Sequence, residues 1–269
     1  RLSLVGSEMC IRDSGKAYPT RLTPTRDVHS LIESLAPRYS GKELIRFGPA
    51  RDGGYLVPDD FDGIESCFSP GVNLISGFEK DCAERGIEVF LADRSVENPA
   101  ESHERFHFTR KYVGVTTNED FMTMDDWVAS SLTGPGTTAD LMLQIDIEGY
   151  EYETFLAMSD GLMGRFRIIV AEFHDLDQLW NLPFFRIASR TFEKILQTHT
   201  CVHIHPNNHI PLLTRDGLAI PPATEFTFLR HDRIDLGRHA PFVTLFPHQL
   251  DTDNSAGLPP VALPKCWHR

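Results

Sequence analysis

Two short stretches of the sequence place acidic and imidazole side chains at a spacing suited to acid–base chemistry. In LQIDIEG, Asp146 and Glu148 lie two positions apart. In VAEFH, Glu172 and His174 repeat this spacing. Residues two apart on an extended strand project from the same face of a sheet. A lone carboxylate at a strand end is usually a helix cap or a solvated loop residue, but the same pairing after two consecutive strands favours a functional site.

Each pair follows a mostly apolar run that predicts a buried strand. Residues 139–144 and 167–171 resemble strands that are covered on both faces of a parallel sheet. After the first pair come Gly149 and a helical pattern whose first turn holds Glu151 and Glu153, where carboxylates complement the positive end of a helix. Open α/β sheets bind ligands at the carboxyl ends of their strands. We therefore expect the two pairs to meet at one edge of such a sheet.

The length and composition predict a soluble protein with one large α/β domain. The chain has 269 residues, of which 41% are hydrophobic, and this is enough to bury a sizeable core. Its formal net charge of −12 argues against a nucleic-acid backbone or an anionic membrane surface as partner, and no apolar run reaches the length of a membrane span. The five cysteines are scattered and form no CxxC motif, which indicates neither a disulfide framework nor a cysteine zinc site. We expect a reducing, cytoplasmic compartment.

The chain divides into three predicted parts. Residues 1–26 form an N-terminal segment, and residues 1–14 within it resemble translated sequencing-adapter sequence, so they are excluded from the fold prediction. Residues 27–240 are predicted to form a single domain. Residues 241–269 are rich in proline and predict a tail that either wraps around the domain or is loose.

The first part of the domain combines a helix with a glycine-containing hairpin. The spacing of apolar residues predicts a helix over 27–36. Two short strands, 44–47 and 55–57, follow around a turn that contains Asp52 and Gly53. Adjacent glycines at this turn suit either a tight hairpin or a close approach of the backbone to a ligand.

A strand–loop–helix pattern typical of nucleotide-binding folds comes next. Residues 64–68 predict the first central strand, the loop after it holds Gly71 and Asn73, and a helix begins near Phe78. The loop is not a clean GxGxxG, so this signal is weak on its own. The following strand ends at Asp93, where a carboxylate could accept hydrogen bonds from a ribose diol; the alternative is an ordinary turn residue.

The rest of the domain alternates predicted strands and helices. Further strands are predicted at 87–92, 106–113, 200–208 and 224–231, and further helices at 124–131 and 185–199. His203 and His205 lie two apart on the 200–208 strand and share a face, which either packing or metal binding would explain.

From Leu44 to Arg230 the sequence resembles the FkbM-type S-adenosylmethionine-dependent methyltransferases. The matching segments are DGGY at 52–55, CFSPGVNLISGFEKD at 67–81, FLAD at 90–93, MTMDDW at 122–127, LQIDIEGYEYE at 143–153 and VAEFH at 170–174. The IDIEG segment followed by EFH at this spacing is the most specific of them.

The resemblance implies an α/β fold of the class I methyltransferase, or Rossmann-like, type. It implies a seven-stranded sheet in the order 3-2-1-4-5-7-6, with the last strand antiparallel and helices on both faces. It also implies a bound S-adenosylmethionine and methyl transfer to an oxygen. The expected acceptor is a hydroxyl of a sugar, a glycan or another small metabolite.

The resemblance also implies which residues contact the cofactor. They are Asp52, Gly53, Gly71, Asn73, Glu79, Asp93 and Asp146. The sequence departs from the common family pattern after the first central strand, where SPGVN stands in place of an acidic residue and a GxG. Glu79, in the FEKD that follows, is the carboxylate that could replace the missing one.

For catalysis we predict His174 as the general base, because imidazole titrates near neutral pH; the alternative is a structural histidine. Asp146 or Glu148 would orient the acceptor hydroxyl or bind a metal that acidifies it. Suitable metal-ligand types occur at Asp146, Glu172, His174 and His205. They form no compact ligand motif, so the sequence leaves a divalent metal open.

Two functions of other classes also remain open from the sequence. An NAD(P)-dependent Rossmann-type oxidoreductase would share the topology, although the glycine fingerprint is poor and no Tyr-xxx-Lys pair lies near the fourth strand. A non-catalytic methyltransferase-like binding module would keep the fold without turnover. Titration with S-adenosylmethionine and with a nicotinamide cofactor distinguishes the three functions.

Overall fold

The strands and helices are those of a computed structural model that describes residues 20–72, 75–132, 139–235 and 239–268. The adapter-like segment 1–14 and Asn73 lie outside the described residues. Within them the strands are β1 (Leu44–Phe47), β2 (Tyr55–Pro58), β3 (Ile64–Pro70), β4 (Glu88–Ala92), β5 (Phe106–Thr109), β6 (Tyr112–Val113), β7 (Phe121–Met122), β8 (Asp140–Ile145), β9 (Phe166–Phe173), β10 (His199–Pro206), β11 (Leu213–Arg215), β12 (Leu218–Ile220) and β13 (Thr224–Arg230).

The helices lie mostly where the apolar spacing predicts them. They are α1 (Thr25–Ser34), α2 (Gly77–Glu84), α3 (Met124–Ser131), α4 (Glu151–Ala157), α5 (Asp160–Met163) and α6 (Leu182–Thr198), with short 3-10 turns at Leu176–Trp180, His231–Arg233 and Lys265–Trp267. Helix α3 begins after Thr123, whose side chain accepts a hydrogen bond from the Asp126 amide. Among the helices described, none combines the length and the apolar character needed to cross a membrane.

Seven strands form one central sheet in the order β10-β13-β9-β8-β3-β4-β5. Strand β13 runs antiparallel to both of its neighbours, whereas the other pairings are parallel. Counted along the chain within this sheet, the order is 3-2-1-4-5-7-6 with the seventh strand antiparallel. The predicted α/β, Rossmann-like class is confirmed.

Successive residues of the central strands alternate between two hydrophobic layers. Leu143 and Ile169 belong to a layer that includes buried side chains of α1, α4 and α6. Met142 and Ile168 belong to a second layer, which includes buried side chains of α2 and of the antiparallel β1–β2 hairpin. All eight residues of β9 are buried, as expected for a strand covered on both faces. Strands β8 and β9 run parallel, so their carboxyl ends meet at one edge of the sheet.

Residues 106–113 do not form one strand, and that prediction is wrong. The chain turns after Thr109, where the Lys111 amide donates a hydrogen bond to the Thr109 carbonyl over 2.9 Å. Strand β6 then pairs with β7 in a separate parallel ladder instead of extending β5. The charged pair Arg110 and Lys111 falls at this turn, which interrupts the apolar alternation that a continuing strand requires.

The C-terminal segment wraps over the sheet. Trp267 has no exposed surface, and its ring centroid lies 6.1 Å from that of Phe226 in β13. Its indole nitrogen donates a hydrogen bond to the Ala219 carbonyl over 3.0 Å. Earlier in this segment, the Leu250 carbonyl accepts a hydrogen bond from Arg46 Nε over 3.2 Å. The tail therefore contacts both the β1–β2 hairpin and the central sheet.

Candidate active site

A row of ionisable side chains crosses one edge of the sheet. Glu172 in β9 lies opposite Glu225 in β13, and Glu225 lies opposite His205 in β10. On the other side of Glu172, Asp146 follows Ile145, which pairs with Ala171. Neighbouring positions in register project from the same face, so this row continues from Asp146 to His205 across four strands.

His174 lies two residues after Glu172 in the chain, next to Asp146, and is surrounded by carboxylates. Its Nδ1 lies 3.2 Å from Glu151 Oε1. Its Nε2 lies 3.9 Å from Asp146 Oδ1 and 3.7 Å from Glu148 Oε2. The structure thus brings together the three residues predicted to be catalytic. Asp146, Glu148 and His174 each offer a ligand-type atom, and these atoms all lie within 4.8 Å of one another.

Glu151 is a central member of this site that the sequence does not identify as functional. Its side chain is completely buried and accepts hydrogen bonds from the Ile147 amide over 3.0 Å and from the Gly149 amide over 3.1 Å. It therefore fixes the loop that carries Glu148, whose own backbone adopts a left-handed conformation with φ of 58°. The sequence signal is a glutamate in the first helical turn, which predicts only a favourable interaction with the helix dipole.

The electrostatics of this site keep His174 protonated. Burial alone would lower the pKa of His174, but the hydrogen bond and charge of Glu151, together with Glu172 and Asp146, raise it to about 9. For Asp146, burial raises the pKa, the charge of Glu172 adds to the rise, and His174 opposes it. At neutral pH His174 is therefore an imidazolium, which cannot accept a proton in that state.

Glu172 and Glu225 form a buried carboxyl pair on the neighbouring strands β9 and β13. Their exposed fractions are 3% and 6%. Asn207 Nδ2 donates to Glu172 over 2.9 Å, and Asn254 Nδ2 donates to Glu225 over 2.7 Å. Burial, with the charge of Glu225, raises the pKa of Glu172 to about 8. Glu172 is thus hydrogen-bonded to Asn207 and is not among the three grouped ligand-type side chains, although its charge acts on both Asp146 and His174.

The two histidines of β10 are held by the C-terminal tail. His203 Nε2 lies 2.9 Å from Asp251 Oδ1, and His205 Nδ1 lies 3.8 Å from the same oxygen. Burial would raise the pKa of Asp251, but the hydrogen bond from His203 and the proximity of His205 hold it well below its usual range. The metal candidate His205 therefore lies with Asp251 and not with Asp146 and His174. His203 and His205 share a face because they lie two apart on a strand, and on that face both lie near the same carboxylate of the tail.

A cavity of about 490 Å³ lies at the carboxyl ends of β3, β4 and β8. Gly71, Asp93, Asp146 and Glu148 line it, and the aromatic rings of Tyr112 and Phe121 line it as well. Four polar or glycine positions selected from the sequence thus meet in one cavity, whereas Asp52, Gly53 and Glu79, which are also predicted to contact the cofactor, do not line it.

Gly71 is required where β3 and β8 converge on this cavity. Its φ is 92°, a conformation that residues with a side chain rarely adopt. A Cβ atom at this position would lie 1.7 Å from the carbonyl oxygen of Asp146. The two strand ends can therefore come this close only because position 71 has no side chain.

Asp93 acts as a turn residue and also lines the cavity. Its Oδ1 accepts hydrogen bonds from the Ser95 amide over 2.7 Å and from the Ser95 hydroxyl over 2.6 Å, as a turn residue does. The same side chain lines the cavity at the end of β4. One carboxylate oxygen thus stabilises the turn, and a carboxylate has a second oxygen that can accept further hydrogen bonds.

Glu79 does not reach the cavity. It is 5% exposed, and its Oε1 lies 2.6 Å from the Ser69 hydroxyl, which lies 2.6 Å from Gln144 Oε1. Gln144 Nε2 in turn donates to the Tyr55 hydroxyl over 3.4 Å, and Tyr55 donates to Asp146 Oδ2 over 3.5 Å. Glu79 is therefore connected to the site through a chain of hydrogen bonds and does not replace a cofactor-binding carboxylate at the cavity wall.

Asp52 and Gly53 belong to the turn between β1 and β2. Gly53 has a φ of 77°, and the Gly54 amide closes the turn on the Arg51 carbonyl over 3.1 Å. Asp52 Oδ1 accepts a hydrogen bond from Asn254 Nδ2 over 3.5 Å. The hairpin alternative thus describes this segment, which lies beside the tail and not at the 490 Å³ cavity.

Comparison with known proteins places few constraints on this chain. No protein-family model matches it, and no curated protein matches it either. Among solved structures, a mutant of the 16S rRNA (adenine(1408)-N(1))-methyltransferase from Catenulisporales acidiphilia is similar at 9% identity and a TM-score of 0.30. The match covers 75% of this chain and 98% of that one. A likeness of this size carries no argument about the reaction or the acceptor of this chain.

Proposed function

We propose that this protein is an S-adenosylmethionine-dependent methyltransferase of the FkbM type, which methylates a hydroxyl oxygen of a sugar, glycan or other small metabolite. The observation that carries the proposal is the cavity at the carboxyl ends of β3 and β4, with Asp93 at its wall. In doubly wound sheets this is where a nucleotide lies and where a carboxylate at the end of the second strand binds the ribose. The seven-stranded order agrees with that assignment.

The cavity suits the size and charge of the cofactor. Its volume of about 490 Å³ lies within the usual range for small-molecule sites. The sulfonium of S-adenosylmethionine is a cation, which carboxylates and aromatic faces attract. Asp146 and Glu148 supply carboxylates at one end of the cavity, and Tyr112 and Phe121 supply aromatic rings.

The residues beyond the cavity suit an oxygen acceptor. Methyl transfer is an in-line displacement, so the protein must position the hydroxyl against the methyl group and accept the proton it loses. Asp146 and Glu148 can accept hydrogen bonds from such a hydroxyl. His174 can accept its proton once the pKa of His174 falls, and the positive sulfonium beside Asp146 acts in that direction because like charges disfavour protonation.

Calorimetric titration of the whole chain with S-adenosylmethionine and, separately, with NAD⁺ tests the cofactor. We expect S-adenosylmethionine to bind with one site per chain and NAD⁺ not to bind. Radiolabelled methyl transfer into glycan, sugar and lipid fractions then identifies the acceptor class, and base-stable, acid-stable label is the mark of a methyl ether. Binding of NAD⁺ in place of S-adenosylmethionine, or of neither, would reject the proposal.

A further inference from the structure

We propose that Asp146, Glu148 and His174 form a binding site for one divalent transition-metal ion, with Mn²⁺ or Zn²⁺ as the chemistry that fits. The site rests on the geometry of these three side chains. Its role in catalysis rests on the proposed methyltransferase function, because the ion would lie where the acceptor hydroxyl is expected.

The three ligand atoms are close to the spacing that an ion requires. Two ligands that each lie about 2.1 Å from a tetrahedral ion are about 3.4 Å apart. In the structure His174 Nε2 lies 3.7 Å from Glu148 Oε2 and 3.9 Å from Asp146 Oδ1. For these two pairs the shift needed is a few tenths of an ångström, and all three ligand atoms lie within 4.8 Å of one another. The Glu148 side chain is 82% exposed, so no packing opposes its movement toward an ion.

The other nitrogen of His174 is held as in protein metal sites. A metal-bound histidine almost always donates its second ring N–H to a carboxylate or carbonyl, which fixes the ring and its tautomer. Here the completely buried Glu151 lies 3.2 Å from His174 Nδ1 and is itself held by two backbone amides. Nε2 is therefore the nitrogen that faces Asp146 and Glu148. A group of acidic side chains alone would not provide this arrangement.

The ligand set distinguishes among ions. Carboxylate and carbonyl oxygens alone suit Mg²⁺ and Ca²⁺, whereas imidazole suits zinc and the first-row transition metals. One imidazole with two carboxylates therefore favours Mn²⁺ or Zn²⁺ over Mg²⁺ and Ca²⁺. Three protein ligands leave at least one position open, as in catalytic metal sites.

An ion at this position would lie beside the cofactor cavity, because Asp146 and Glu148 also line it. A hydroxyl oxygen that binds such an ion loses its proton more easily. With His174 Nε2 bound to the ion, this proton would pass to solvent and not to His174. The inference thus specifies an acceptor with a hydroxyl that can reach the ends of β8 and β9, and a metal requirement for its methylation.

Binding of Mn²⁺ to the chelator-stripped whole chain, followed by electron paramagnetic resonance of the free ion, tests the site directly. We expect one Mn²⁺ per chain. Glu148→Gln and His174→Asn should each weaken binding at least about tenfold, as the loss of a ligand or its support does. Glu153→Gln is the matched control, because Glu153 is an exposed glutamate in the first turn of α4 that is not one of the three proposed ligands, and this variant should bind as the wild type does.

Glu148→Gln is the decisive variant, because a change in an exposed side chain should leave the fold intact. Circular dichroism confirms that the variant is folded. Zn²⁺ is tested in the same way by its competition with Mn²⁺ or by direct titration, and binding of neither ion at about 1 mM, a weak limit for cation sites, would overturn the proposal. Unchanged affinity in Glu148→Gln would overturn it as well. S-adenosylmethionine titration of the same stripped protein separates the two proposals, because it tests the cofactor in the absence of any ion.

Discussion

His174 Nδ1 and Glu151 Oε1 lie 3.2 Å apart, and the Glu151 side chain has no exposed surface. The same carboxylate accepts hydrogen bonds from the Ile147 and Gly149 amides. One buried group thus sets both the direction of the imidazole and the path of the loop after β8. A change at Glu151 must therefore alter His174 and the position of Glu148 together.

Glu151→Gln should lower the pKa of His174 from about 9 toward the ordinary value of 6.5, because the main group that raises it loses its charge. An NMR titration of the histidine ring nitrogens in chelator-treated protein measures this pKa. Glu153→Gln, at an exposed position two residues along, serves as the control and should leave it in place. An unchanged pKa of His174 in Glu151→Gln would mean that the charges of Asp146 and Glu172, and not that of Glu151, keep this pKa high.

Asp93→Ala should weaken S-adenosylmethionine binding by about 1–3 kcal/mol, or about 5- to 150-fold, because charged hydrogen bonds to the ribose are lost. Calorimetric titration measures the affinity. Glu65→Ala, an exposed acidic residue in the same sheet on β3, should bind like the wild type. Equal affinities for the two variants would remove Asp93 from the cofactor site.

Gly71→Ala should lower the thermal midpoint and also abolish cofactor binding, since its Cβ would meet the Asp146 carbonyl at 1.7 Å and force β3 and β8 apart at the cavity. Gly86→Ala is the matched control. Gly86 also has a positive φ, of 85°, but a Cβ there would meet no atom within 4 Å. Gly86→Ala should lose only the stability that this strained conformation costs, about 1–2 kcal/mol, and should keep its affinity for the cofactor. Equal losses in the two variants would contradict the close approach at Gly71.

Glu225→Gln should reduce the loss of stability between pH 4.5 and about 7. Burial raises the pKa of Glu225 to about 7 from an ordinary 4.5, against the opposing effects of His205 and Arg46. Between these two values the unfolded chain releases a proton that the folded protein retains, so stability is fully present below pH 4.5 and falls as pH rises to about 7.

The thermal midpoints of the wild type and of Glu225→Gln, measured across this pH range, test the prediction. The fall should be smaller in the variant but should persist in part, because Glu172, with a pKa raised to about 8, contributes in the same direction. Glu65→Gln should follow the wild type, since this side chain is exposed. A variant with the same slope as the wild type would show that Glu225 ionises at its ordinary pKa in the folded protein.

The parts of the fold predicted well from the sequence depend on local pattern. The apolar runs before Asp146 and Glu172 predict β8 and β9, because a strand that is buried on both faces is mostly apolar along its length. Parallel strands end at one edge, and this alone brings Asp146 and His174 together. The interruption after Thr109 is local as well, but two charged residues were too weak a signal against the apolar residues around them.

Other parts depend on contacts between distant segments and could not be predicted. The role of Glu151 arises from amides of its own loop and from a histidine 23 residues later in the chain. From the sequence alone, the shared face of His203 and His205 has several explanations. The structure decides among them because it places Asp251 of the tail beside both histidines. Glu225 gives no sequence signal of its own, because its unusual environment is made by β10, β9 and the tail.

The contacts from Glu79 to Asp146 have a fixed direction. The Ser69 hydroxyl has a single hydrogen but lies 2.6 Å from both Glu79 Oε1 and Gln144 Oε1, and the latter oxygen can only accept. Glu79 must then carry the proton, which agrees with the rise of its pKa by burial. Every donor in the relay consequently points toward Asp146, so that the array behaves as an aligned set of dipoles with its positive end at that carboxylate. Glutamine at position 79 would preserve this polarity, whereas any residue unable to donate would reverse or break it.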